Sequence, residues 1–559
     1  MMGTQPNSRQ PALFSYHINL EHRVAADHLL RRVCAVLDLS FVIPTVSQLY
    51  GRCGNVSLDP RVILKMMLLL FLYNIASERE LLEQIRVRLD FLWFLGFDLE
   101  SDIPDHSVLS KARARWGEEL FQKLFVRMVE QCVAAGLVNG SLLHADSTLV
   151  KASASKDSVV VSSPQLVSAL RQAYQRQQSK LQVLAAEPKP SSAQPQTEPC
   201  GCPATVAEGQ GEQAQAQASV PVLPVPNPVR WEQSGTDSEP AAQEARAKKA
   251  PAKKLPVNST HISTTDAQAE LARNKSGVTE LNFKEHRMVD DAQGVITAVA
   301  TTGSNVPDGS QLPRLYEQHE SNTGLAPAQV RLAGDHHYGT APNYLYCAQQ
   351  GLRAHLAEAS ANLEERGKLP LSQFVYEPAL DRLRCPQGHS LICHQERPQE
   401  QLKVYLIEDP ALCAHCPLRQ QCTESKRGRS IRRHVQADLV AAGRAEANSA
   451  AARYSRKRRR HVMEGSFADA FNNHGAKKAR WRGLARQRIQ SWLIATVQNL
   501  RILLRNQFSG AGRAAALLAE AAGKGLVLRL VPQIAGLPAL LAGVERLGGK
   551  IECLMAAKL

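Results

Sequence analysis

Up to about residue 138 the apolar positions recur at helical spacing; beyond residue 140 they alternate or bunch as strands do. Asp59-Pro60 sets an N-cap before a proline at the first helical position, and the apolar run 62–76 follows as a buried helix. Ser77-Glu78-Arg79-Glu80 reads as a capping box and predicts a second helix over 81–95. Pro104-Asp105-His106-Ser107 predicts another, with Lys111, Arg113 and Arg115 along a basic edge and Trp116 at its end. Residues 1–138 therefore read as an all-helical domain. Its short helices with a basic last member suit a helix-turn-helix-like DNA-binding region, and equally an ordinary helical bundle.

The character changes at Ser141. Leu142-Leu143-His144-Ala145-Asp146-Ser147-Thr148-Leu149-Val150 is strand-like with a carboxylate inside it. Residues 281–289, the turn Asp290-Asp291-Ala292-Gln293-Gly294 and residues 295–300 predict a β-hairpin. A helix over 310–320, a strand over 329–335 ending in Asp335, a further helix and a strand near 352–356 continue as β-α-β. The expected class is α/β: a mixed-sheet core over 139–156 and 259–507 behind an N-terminal all-helical domain. Residues 157–258, rich in Ala, Gln, Pro, Ser and Glu, bury too little apolar surface to offset chain entropy and read as a disordered insertion. Cys200 and Cys202 within it are assigned no structural role. Ile489, Trp492, Leu493, Val497, Leu500, Leu503 and Leu504 predict a long amphipathic helix over 484–506. Residues 508–559 form a tail with no assigned role.

Composition narrows the partners. Lys and Arg total 67 against 52 Asp and Glu, a net charge of +15 over 559 residues. Such an excess favours a polyanionic partner, because each neutralised phosphate releases condensed counterions. The charge concentrates late: Arg427, Arg429, Arg432, Arg433 and His434 form one cluster, and Arg453, Arg456, Lys457, Arg458, Arg459 and Arg460 a denser one. A solvated face is the usual meaning of a charge run, so charge alone does not single out nucleic acid. The run 62–76 carries Lys65 and Asn74 and is too short to span a bilayer, so no membrane partner is expected. Residues 1–10 are polar with no apolar stretch behind them, so no export signal is expected and the expected compartment is the cytoplasm. Twelve cysteines in so long a chain fit reduced thiols better than a disulfide scaffold.

Asp146 and Asp335 stand out because each interrupts an apolar strand-like run, where an unpaired carboxylate is costly. Mg²⁺ takes hard oxygen ligands and keeps much of its water, so one or two carboxylates per ion suffice. Two such ions roughly 3.5–4 Å apart activate a water or a 3′-hydroxyl and stabilise the leaving oxygen of a phosphodiester. A helix-borne Glu464 packed against the same sheet edge would supply a third carboxylate.

These segments resemble the DDE transposases of bacterial insertion sequences. His144-Ala145-Asp146-Ser147-Thr148 is similar to their first-aspartate segment, and Leu332-Ala333-Gly334-Asp335-His336-His337-Tyr338-Gly339 to their second. Arg460-His461-Val462-Met463-Glu464-Gly465 is similar to the third, in which Arg lies four residues before the catalytic Glu. The resemblance implies a ribonuclease-H-like core and Mg²⁺- or Mn²⁺-dependent cleavage at the inverted-repeat ends of a mobile element. Strand transfer into target DNA would follow, with Asp146, Asp335 and Glu464 as catalytic metal ligands. It also implies double-stranded DNA as partner, a homodimer to pair two ends, and nucleoid association when DNA is bound. Three positions depart from the pattern: Lys457 where Tyr is often found, Phe471 where Lys is common, and His336-His337 where many relatives have Lys-Gly. Phosphate positioning then falls to Arg460, Lys477 or Arg482, which tolerate displacement better than metal ligands do. The family often has Lys-x-His where Lys284 and His286 stand; a solvated strand face fits them equally. His144 reads as a core or hydrogen-bonded histidine.

Cys385, Cys413, Cys416 and Cys422 have spacing suited to a tetrahedral structural Zn²⁺ in an insertion over 380–425, with His389 or Cys393 as substitutes. Partly buried reduced thiols are the alternative; zinc is the favoured reading, as a fold element without catalytic duty. The alternatives to a transposase are a catalytically inactive DNA-binding remnant or regulator, and a nuclease of the same fold without strand transfer.

Overall fold

A computed structural model describes residues 19–51, 57–186 and 256–508, apart from 275, 326, 359–368, 371 and 372. Residues 187–255 of the expected insertion, with Cys200 and Cys202, and the tail 509–559 lie outside the described residues. The N-terminal region is helical, with segments at Leu20–Arg23, Leu29–Val36, Val42–Val46, Pro60–Leu72, Glu78–Val87, Leu89–Leu95, Ser107–Trp116 and Glu119–Ala134. The expected starts hold. Asp59 accepts the Arg61 N–H at 2.7 Å ahead of Pro60, and Ser77 accepts the Glu80 N–H at 3.1 Å. The second helix is split at Arg88, where one continuous helix was expected. Leu81, Leu82 and Ile85 set an apolar stripe whose next turn would bury position 88 or 89. Arg88 is charged, so the chain extends there (ψ 112°) and its guanidinium lies 3.9 Å over the Phe91 ring.

The strands are β1 (Leu142–Lys151), β2 (Val159–Val161), β3 (His261–Ser263), β4 (Glu270–Arg273), β5 (Thr279–Asp290), β6 (Ile296–Gly303), β7 (Arg331–Gly339) and β8 (Arg353–Glu358). β5 and β6 are the expected hairpin; β1 is antiparallel to β5 and parallel to β7, and β7 is parallel to β8. The order β6-β5-β1-β7-β8, with β4 along the start of β5, is the mixed sheet expected of a ribonuclease-H-like core. Helices Leu312–Thr323 and Ala341–Gln349 cover one face through Leu143, Ala145 and Met288. Helices Ala450–Asn473 and Leu484–Phe508 cover the other, and the N-terminal helices share that same core.

The final helix is buried on both sides, which an amphipathic reading did not anticipate. Its polar face caps the edge strand β6: Asn499 accepts the Ile296 N–H at 2.9 Å and donates to the Ile296 carbonyl at 2.8 Å. Part of the expected disordered insertion is ordered. β2 pairs with β3, and a helix spans Pro164–Ala186, so the disordered reading does not apply to those segments. A second, antiparallel sheet lies between β8 and the basic helix: β9 (Val375–Glu377), β10 (Arg382–Arg384), β11 (Ser390–Arg397), β12 (Leu402–Ile407) and β13 (Ile431–His434). It extends past the expected bounds of 380–425 at both ends. Among the described residues no helix is long and apolar enough to cross a membrane.

Candidate active site

Strand register brings the two aspartates together. β1 and β7 pair Leu142 with Arg331, Leu143 with Leu332 and His144 with Ala333. Carrying that parallel register two residues further sets Asp146 beside Asp335, with both side chains on one sheet face. Asp335 lies inside β7, where a strand end was expected. β7 pairs regularly with β8 up to Gly334 and again only at Gly339, so Asp335, His336 and His337 occupy an irregular stretch. The ligand atoms of those three residues lie within 4.8 Å of one another. Asp335 Oδ1 accepts the His337 N–H at 2.9 Å.

Asp146 is mostly buried. Its Oδ1 accepts the Ser147 N–H at 2.8 Å and its Oδ2 meets Arg459 Nη1 at 2.6 Å. Burial pushes its carboxyl above the usual carboxylate range; Asp335 adds repulsion, while Arg459 and the Ser147 N–H oppose it. Tyr338 is fully enclosed close by, and its hydroxyl lacks a hydrogen-bond partner. Its phenol is held well above the ordinary range by burial first, then by Asp308, Asp146 and Asp335.

The helix Ala450–Asn473 crosses this face and is fixed at three points. Ser455 bonds His355 of β8 at 2.8 Å, Arg458 meets Asp291 at 2.7 Å, and Ser466 accepts from Arg287 of β5 at 3.1 Å. His144 shares Asp291 at 2.9 Å, a hydrogen-bonded histidine as expected. Arg287 stands opposite Asp146 in the antiparallel register, so the helix passes over the aspartate between its second and third anchors. An open cavity of about 470 Å³ is lined by Asp335, His336, Arg453, Arg456, Lys457, Arg459 and Arg460. Glu464 is exposed on this helix, one turn beyond Arg460 and two beyond Lys457 on the same stripe. It does not line that cavity, and five residues of helix, about 140° of phase, separate it from Arg459, so the expected third carboxylate is not brought against the two aspartates.

Other expected site residues fall elsewhere. Lys284 and His286 pair with Leu149 and Ser147, so they point to the face opposite Asp146. There Lys284 Nζ meets Asp308 at 3.0 Å, and His286 is buried against Thr302 at 2.9 Å. Both hold the loop before helix Leu312–Thr323 and are turned away from the face that bears Asp146. Lys477 and Arg482 are exposed but lie at the far end of β1, where Lys151 N–H bonds the Lys477 carbonyl at 3.1 Å. That is five residues past Asp146, roughly 17 Å at strand rise. Arg113 of the expected basic edge is buried, paired with Glu78 and 3.9 Å over the Trp481 ring. Arg459 was missed as a partner of Asp146. The Arg-x₃-Glu spacing drew attention to Arg460, and one residue on a helix is a turn of 100°.

Two family matches bear on the chain. Residues 18–115 match the family described as "Transposase domain (DUF772)", and residues 384–504 match "Transposase DDE domain". The second covers most of the small sheet, the basic helix with Glu464 and most of the final helix. Asp146 and Asp335 lie between the two matched segments. No curated protein matches the chain.

Proposed function

We propose, from a chain that carries transposase-family segments on both sides of its paired aspartates, that this protein is a DDE-type DNA transposase. The reaction would be metal-dependent cleavage at the ends of a mobile element followed by joining of those ends to target DNA. One observation carries the reading: Asp146 and Asp335 are neighbours on adjacent parallel strands, beneath a basic helix that bears Glu464.

The donor set fits a divalent cation. Two carboxylates share one edge, and the Asp146 carboxyl is raised by burial and by its neighbour, a cost that positive charge relieves. Asp146 and Asp335 would hold Mg²⁺ or Mn²⁺. Such an ion, when bound, polarises a phosphodiester and activates a water or 3′-hydroxyl. The chain's own residues do the rest. Arg453, Arg456, Lys457 and Arg460 offer phosphate contacts around Asp335, positioning the backbone without reading sequence. Arg459 pairs with the Asp146 carboxylate at 2.6 Å and would orient it. Pairing two element ends calls for two copies of the chain on mechanistic grounds.

The test uses the full chain, a linear DNA ending in the repeats that flank its gene, and a supercoiled target. With Mg²⁺, nicking at the repeat ends and joined products are expected. Cut ends without joining would make the protein a nuclease. Binding with neither product would leave a DNA-binding remnant and remove the enzymatic reading.

A further inference from the structure

We propose that Cys385, Cys413, Cys416 and Cys422 bind one Zn²⁺ through four thiolates, closing the small sheet β9–β13 that interrupts the catalytic fold. This sheet lacks a core of the usual size. Its buried apolar set is Leu369, Phe374, Leu383, Leu391, Tyr405, Ile407 and Ile431, too few to hold five short strands comfortably. Cys385, Cys413 and Cys422 pack against that core. All four cysteines line one cavity of about 30 Å³, room for a single water-sized occupant.

The sulfurs arrive from separate segments that the backbone shapes for the purpose. Cys385 sits where β10 turns into β11. Its carbonyl accepts the Gly388 N–H at 2.8 Å, its N–H donates to the His389 carbonyl at 2.9 Å, and Gly388 takes φ +83° to close the turn. Cys413 and Cys416 flank one tight turn, and Cys422 ends the short helix Arg419–Cys422. Gly428, at φ +80°, brings backbone up to Cys413: a Cβ there would lie 3.1 Å from its Sγ. All four are free of disulfides. Four thiols around one cavity, with no carboxylate in its lining, suit Zn²⁺ in a closed, structural site, which draws the sulfurs together on binding.

Cys393 supplies an internal control. It lies on β11 beside the same core, yet it is absent from the cavity wall and its sulfur faces the Gln395 carbonyl at 3.9 Å. His389 lines the cavity and is the competing fourth ligand.

The experiment is metal analysis and Co²⁺ substitution of the full chain. One equivalent of Zn²⁺ is expected, released when the thiols are titrated with a mercurial. The cobalt form should show tetrahedral d–d bands and thiolate-to-metal charge transfer. Cys393→Ser, His389→Ala and Asp335→Ala should keep the metal, and Cys413→Ser and Cys416→Ser should lose it. Should those two variants fail to fold, the cobalt spectrum of the wild type still decides. Absence of metal with all four thiols open to a disulfide reagent in the native chain would overturn the proposal. So would a spectrum lacking thiolate charge transfer, or metal lost with Asp335→Ala.

Discussion

At the scale of single residues, the aspartates were legible because a carboxylate inside an apolar strand is costly unless it serves a purpose. Their partners were not. Whether Arg459 or Arg460 meets Asp146 depends on helix phase, and whether Lys284 and His286 share its face depends on strand parity. Packing sets both. Arg459 offsets the mostly buried Asp146 carboxylate, so Arg459→Met should lower the melting temperature in metal-free buffer. The expected loss is about 2 kcal/mol, below the full cost of orphaning a buried charge because Asp146 keeps some solvent. Mn²⁺ should recover more stability in the variant than in the wild type; equal shifts in both would separate Arg459 from the metal site. His319 gives a second prediction. It is buried against Thr297 at 2.9 Å, and burial pulls its imidazole from 6.5 down to about 4. The unfolded chain takes up a proton below about 6.5 while the folded chain does not until about 4. Stability is therefore full above that range and falls with pH across it, by up to roughly 1.4 kcal/mol per pH unit. Equilibrium unfolding between pH 7 and 4 checks this. His319→Asn should flatten the slope, and an unchanged slope would rule His319 out as a contributor.

At the scale of elements, the strands and most helix starts followed from alternation and caps, and β1, the hairpin and the final helix stand close to where the pattern put them. The misreadings have separate causes. The helix Pro164–Ala186 was hidden because polar composition masks a short ordered lead-in. The break at Arg88 arises from a charge falling where the apolar stripe would bury it, and the burial of the final helix from neighbours distant in sequence. Gln490, Ser491 and Asn499 are buried because that helix lies between the sheet and the N-terminal helices. Asn499 on the edge of β6 takes the role of a strand partner, something that no periodicity discloses.

At the scale of the molecule, the boundary at residue 138 marks a change of secondary structure and not of core. Phe121, Leu124 and Met128 belong to one apolar cluster with Val289, Ile296, Leu493 and Leu500. The helical region and the six-stranded sheet should therefore unfold together. One cooperative transition is expected by calorimetry for these two parts, and two resolved transitions would restore an independent N-terminal domain. The same continuity explains how a basic helix late in the chain is held over a strand formed early in it. The central claim is that Asp146 and Asp335 jointly carry the chemistry. Its most direct test is Mg²⁺-dependent nicking of DNA bearing the element's own ends, compared among wild type, Asp146→Asn and Asp335→Asn with DNA binding measured alongside. Nicking by the wild type alone, with all three proteins still bound to DNA, is the predicted result; nicking that survives in either variant would contradict the account.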